Sequence, residues 1–262
     1  MIATLAALLY LVATGMQLVA IAQRWPTNGR LQVLAGLLAL TCHAVVAWDS
    51  ISADDGVHLG FYRVAALVFF VVNLVCLGLT LTGRPLHNLL LLLFPLSAVA
   101  VLVSSLGPQT ERGSHLGPGL LMHVASSLLA YAVLTLAALQ AAVLSVLDRQ
   151  LHNRQPGGIV RLLPPLQRME NMLFELLWLG VMLLSVAIVT GFVFVDDLFA
   201  QHLVHKTVLT IVAWVIFSTL LWGHSQRGWR SQTAVRLTLF GFLSLMLAFF
   251  GSKLVLELIL QR

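Results

Sequence analysis

The sequence predicts an all-α fold, a polytopic membrane bundle of eight transmembrane helices. Three observations carry that expectation. Of 262 residues, 59% are hydrophobic and 10% charged, with a mean hydropathy of +0.95, whereas soluble domains carry about 25% charged residues. Eight runs are long and apolar enough to cross a hydrocarbon core; a core of ~30 Å takes about 20 residues at 1.5 Å each. The runs are continuous and not alternating, which argues against strands, and lipid demands that backbone groups be paired internally.

In order, the spans cover about 2–22, 31–48, 62–81, 86–106, 120–147, 173–195, 203–223 and 235–258. The first begins without a basic stretch ahead of it and reads as a retained span, not a cleaved signal. The second is short and the fifth long, differences that tilt or extension beyond the bilayer absorbs. Asn73 in the third span and Glu175 in the sixth are notable polar groups. Lys253 and Glu257, four apart in the last, are spaced to pair or to snorkel. Between the fifth and sixth spans, "QPGG" and "LPPLQRMEN" punctuate the chain. That segment, about 148–172, reads as a hinge between five spans and three inside a single integral-membrane domain over 1–262. No internal repeat is evident.

The formal net charge is +5. Basic residues cluster between spans and form no stripe with interleaved aromatics, so nucleic acid is not an expected partner. Ten of them (Arg24, Arg30, Arg84, Arg149, Arg154, Arg161, Arg168, Arg227, Arg230, Arg236) fall in the loops after the odd spans or beside them. Three (Arg63, Arg112, Lys206) fall on the other side, alongside Asp49, Asp54, Asp55, Glu111, Asp196 and Asp197. By the positive-inside rule both termini lie outside the cytoplasm, and 148–172 is the largest cytoplasmic segment. Cys42 and Cys76 both lie inside apolar runs and form no CxxC, so no disulfide framework is implied.

Histidine carries the chemistry. His58, His87, His115 and His152 fall in loops or at span ends, where an interfacial role suffices. His202 and His205 stand beside Lys206 and close to Asp196 and Asp197, where anchoring and ligation are balanced readings. His43 lies within the second span and His123 near the outer start of the fifth. An ionisable group inside a span is costly and is by default a functional hypothesis. Imidazole avoids much of that cost by staying neutral, which frees a nitrogen for a metal. His123, Ser127, Tyr131 and Thr135 recur every four residues along one helix face, a polar stripe suited to a cavity or to helix–helix bonding. His205 and His224 bound the seventh span and are nineteen residues apart, about 28 Å along a helix. They serve different membrane surfaces.

No HExxH motif is present, and zinc or a hard cation would want more Cys, Asp or Glu than the spans offer. Haem iron asks for one or two imidazoles in an apolar cleft. CxxCH is absent, so any haem is expected to be non-covalent, b-type.

With the histidines placed, the chain resembles the cytochrome c assembly superfamily, the CcsA/HemX-like haem-handling membrane proteins, and is most similar to their small YpjD-like inner-membrane branch. The resemblance rests on "CHAVVAW" (42–48), "GPGLLMHVASSLLAYAVLTLAALQA" (117–141), "LPPLQRMENMLFELLWLGVMLLSVAIVTG" (163–191), "HKTVLTIVAWVIFSTLLWGHSQRGWR" (205–230) and "AFFGSKLV" (248–255). It implies His43, His123 and His224 as ligands of haem iron, with His43 and His224 as an intramembrane pair and His123 near the external surface. Naive depth instead puts His43 nearer to His123, and both pairings stay open. His205 is added here as an external partner of His123. The tryptophan-rich external loop of the synthases is absent, 107–119 reading "GPQTERGSHLGPG", and the chain ends at Arg262 before a second external histidine. Synthase activity is therefore not expected.

The expected role is non-catalytic: haem-b binding or trafficking in the bacterial inner membrane in support of cytochrome c assembly. Its expected partners are haem and cytochrome-assembly or other inner-membrane proteins. Two alternatives stand beside it. One is a haem-containing redox subunit passing electrons across the membrane. The other is a non-haem accessory protein of another membrane protein, such as an ion transporter.

Overall fold

A computed structural model of the chain describes residues 1–23, 29–51, 60–84, 86–107, 116–152, 163–195 and 204–251. It contains α1 (Ile2–Gln23), α2 (Gly29–Ile51), α3 (Phe61–Leu81), α4 (Leu90–Leu106), α5 (Pro118–His152), α6 (Leu166–Phe194), α7 (Val204–Arg227) and α8 (Ser231–Met246). A π-helical turn, Leu247–Gly251, continues α8. Among the described residues seven helices are long and apolar enough to cross a membrane, and α4 is a shorter apolar helix. Among the described residues there is no strand.

Every expected span is a helix, but several boundaries move. The fourth begins at Leu90 and not at 86, because residues 86–89 form a turn in which the Leu89 N–H donates to the Leu86 carbonyl. The fifth extends to His152 and the sixth begins at Leu166, seven residues before the apolar run. Hydropathy marks where lipid begins, whereas the helix itself continues through polar turns as long as its backbone bonds do. Pro165 starts α6, where a missing N–H costs nothing. For the eighth span, residues 252–258, with Lys253 and Glu257, lie outside the described residues. So do His58, His115, His202 and residues 153–162 of the 148–172 segment.

The chain forms two compact units, Met1–Leu116 and Gly117–Arg262. The division falls between α4 and α5, not in the proline- and glycine-bearing 148–172 segment. In the first unit α1 packs on α2 and α4, and α3 packs on the same two, closing a four-helix ring. In the second, α5 meets α6 and α8, and α7 meets the same two, closing another.

Small residues bring the helices together. Ala3, Ala6, Ala7 and Ala13 are buried along α1. At Gly36 a Cβ would stand 2.6 Å from Cζ of Phe94, so glycine lets that ring lie against α2. In the second unit Gly180 does the same for Leu134 of α5. The opposite faces are apolar and exposed, as with Trp178, Met182, Val186, Val189 and Val193 on α6, which suits lipid as solvent.

Many hydroxyl side chains in the spans bond back to their own helix. Thr14, Thr80, Ser97, Thr135, Ser185 and Thr210 each donate to the carbonyl four residues back. In the second unit each helix interface also carries a cross-helix bond: Gln140 to the Met169 carbonyl, Trp214 to Ser185, Ser244 to the Leu209 carbonyl, and Tyr131 to the Met246 sulfur. Such bonds are worth about 0.6 kcal/mol each on average in a membrane. They fix register more than they supply stability.

Candidate functional site

In the first unit His43 is fully buried on α2, 0% exposed. Its Nδ1 lies 3.2 Å from the hydroxyl of Tyr10 on α1, itself 0% exposed. The imidazole meets the Tyr10 ring edge-on at 5.9 Å and the Phe70 ring of α3 at 5.5 Å. Phe94 of α4 backs Tyr10 at 5.4 Å. All four helices of the unit thus place a ring at or next to this histidine. The backbone of Ala66 on α3 also stands within reach of the imidazole, but Nε2 makes no hydrogen bond of ordinary geometry. A buried ring nitrogen without a partner is uncommon.

The second unit holds His123, His205 and His224. On α5, His123 Nδ1–H donates to the Ala187 carbonyl of α6 at 2.8 Å, with the Thr190 hydroxyl at 3.5 Å. Gly191 makes room for it, since a Cβ there would be 3.0 Å from Cε1. At the other end of α7, His224 Nδ1–H donates to the Trp229 carbonyl at 2.9 Å. Its ring stacks on Phe174 of α6, centroids 3.5 Å apart and planes at 15°. The chain reaches that carbonyl by turning back through Gly228, whose φ of +66° is left-handed. The Trp229 ring then covers Gly223, where any Cβ would collide with it.

A backbone carbonyl can only accept, so these two bonds settle the tautomer of neutral His123 and His224. The proton sits on Nδ1 and Nε2 keeps its lone pair. That is how metal-ligating histidines are usually held, with the second nitrogen donating to a carbonyl or carboxylate. The Nδ1 bond of His123 also links two helices, as expected of polar residues in spans. At His43 the other nitrogen, Nε2, is buried and without a hydrogen bond among the described residues.

His205, the second residue of α7, is exposed. Lys206 beside it lies over the Phe249 ring at 5.5 Å, close enough to His123 for its charge to act on the imidazole. The stripe expected along α5 divides. His123 turns to α6, whereas Tyr131 packs against Phe242, Phe249 and Phe250 at the end of α8. A four-residue repeat advances 400° on a 360° helix, so eight residues carry the stripe to another neighbour. Among the described residues no three His, Cys, Asp or Glu come together as a metal cluster.

Tyr10, Phe174 and Trp229 escaped the sequence reading. Only Trp229 had a local signal, the "RGW" that ends α7 with a glycine turn. The partners of the other two come from distant segments.

Long apolar helices carrying isolated imidazoles define a polytopic membrane protein. Residues 31–260 match the family described as Cytochrome C assembly protein, and the chain belongs to that family. It is 34% identical over 236 residues to the inner membrane protein YpjD of Escherichia coli (strain K12), covering 88% of each chain. It is 23% identical over 288 residues to the cytochrome c biogenesis protein CcsA of Thermosynechococcus vestitus, covering 88% of this chain and 86% of that one. No solved structure matches it.

Proposed function

We propose that this protein binds and handles b-type haem in the bacterial inner membrane in support of cytochrome c assembly, without synthase activity, with His43, His123 and His224 as the residues that would hold it. Membership of the family and the resemblance to CcsA support the process. The likeness to an inner membrane protein and the apolar helices support the location. One observation carries the ligand assignment: each of the three imidazoles has Nδ1 engaged, and the buried Nε2 of His43 has no hydrogen-bond partner.

The residues fit the cofactor. Haem b asks the protein for axial nitrogens and apolar surroundings, not for a carboxylate or thiolate cluster. Bound there, haem would supply redox-active iron. The chain's own contribution is to hold Nδ1 of each imidazole and to pack Phe70 and Phe174 against the His43 and His224 rings, with Phe94 behind Tyr10. His205, exposed at the start of α7, would partner His123 on the external side.

The test is the absorption spectrum of the detergent-purified protein, with pyridine haemochrome quantitation, beside His43→Ala, His123→Ala, His224→Ala and His205→Ala. A Soret band with stoichiometric b-type haem is expected, reduced or shifted in the first three variants and less affected in the fourth. A colourless protein that also fails to take up added haemin would overturn the proposal.

A further inference from the structure

Resting on that reading, the geometry points to Tyr10 as the residue that orients His43 and tunes the iron bound to it. His123 and His224 each donate Nδ1–H to a main-chain carbonyl. At His43 the Nδ1 partner is instead the Tyr10 hydroxyl at 3.2 Å.

A carbonyl imposes one tautomer, whereas a hydroxyl can donate or accept. If Tyr10 donates, the His43 proton sits on Nε2 and that nitrogen cannot bind iron. If Nδ1–H donates to Tyr10 Oη, Nε2 presents its lone pair. Iron at Nε2 therefore requires the ring proton on Nδ1 and requires Tyr10 to be its acceptor. No heavy atom need move, because only the direction of the hydrogen bond changes.

Accepting that proton makes the imidazole a more basic ligand. Oxidised iron is then favoured over reduced iron and the potential falls. Both groups are fully buried, so water neither competes for the bond nor replaces it. Tyr10 is itself held in place. Its ring lies against Phe94, which fills the space left by Gly36, and Thr14 on the same helix bonds its carbonyl.

Tyr10→Phe removes the hydroxyl and keeps the ring packing. The experiment compares the full-length wild type, Tyr10→Phe and His43→Ala in detergent, by haemin titration, redox potentiometry and low-temperature EPR of the ferric form. Wild-type protein labelled with 3-fluorotyrosine, a weaker acceptor of the same shape, is the second probe. A haem signal lost in His43→Ala should persist in Tyr10→Phe with affinity reduced about 10- to 100-fold, a raised midpoint potential and altered g-values. Fluorotyrosine should move the potential in the same direction by less. Unchanged affinity, potential and EPR in Tyr10→Phe would overturn the role of Tyr10 while leaving His43 as a ligand. A haem spectrum, potential and EPR signal in His43→Ala identical to the wild type would overturn both.

Discussion

His123 shows how little room the site leaves. Its Nδ1–H reaches the Ala187 carbonyl only because position 191, one turn further along α6, has no side chain. A methyl there would sit 3.0 Å from Cε1 and 3.2 Å from Nδ1. Gly191→Ala is therefore expected to push the ring off its carbonyl, free the tautomer and weaken haemin binding at this site about tenfold, the low end for loss of a partner behind a metal ligand. Protein yield in the membrane should not change. Titration of the purified variant with haemin checks this, and wild-type affinity would show that the bond to Ala187 is dispensable. At this scale sequence could name the histidine but not its free nitrogen. A histidine within an apolar run is visible one residue at a time, whereas the state of its ring depends on a carbonyl 64 residues away.

Between helices the same logic of small residues applies, and it separates glycines that look alike in sequence. Gly15 on α1 has nothing within 4 Å of a built Cβ, while Gly36 on α2 faces the fully buried Phe94 ring at 2.6 Å. Gly36→Ala should overpack the first unit and cost about 1–3 kcal/mol. Gly15→Ala should be neutral or slightly stabilising, since alanine is the better helix former by ~1 kcal/mol in soluble hosts. Unfolding in mixed detergent and SDS, followed by circular dichroism, measures both, and equal effects would contradict the packing. Phe94 also backs Tyr10, so Gly36→Ala should raise the His43-linked potential as well. The helices themselves were legible, because twenty apolar residues in lipid have few alternatives to a helix. Their ends were less so. The polar turns from Leu166 to Met172 belong to α6 although they belong to no apolar run.

For the whole chain, hydropathy and charge speak to different things. Apolar runs count the helices, but the partition into Met1–Leu116 and Gly117–Arg262 depends on which helices touch, and no local composition encodes that. The "QPGG" segment stands out by its proline and glycines and lies outside the described residues, while the two compact units meet in sequence at Leu116 and Gly117. Orientation is encoded locally, in ten basic residues on one side against three on the other, and the resulting proposal is that both termini lie outside the cytoplasm. It has a consequence for α7, 24 residues long and so about 36 Å from end to end. His205 then stands at the external surface and His224 at the cytoplasmic one. Haem entering or leaving the protein would meet a different imidazole on each side, which is the arrangement a handling protein needs. Alkaline phosphatase fused after Arg262 should be active and green fluorescent protein there dark, with the reverse at Gly157. Active phosphatase at Gly157 with a silent fusion at Arg262 would invert the chain, carrying His224 to the external face and removing the argument that His205 partners His123 outside.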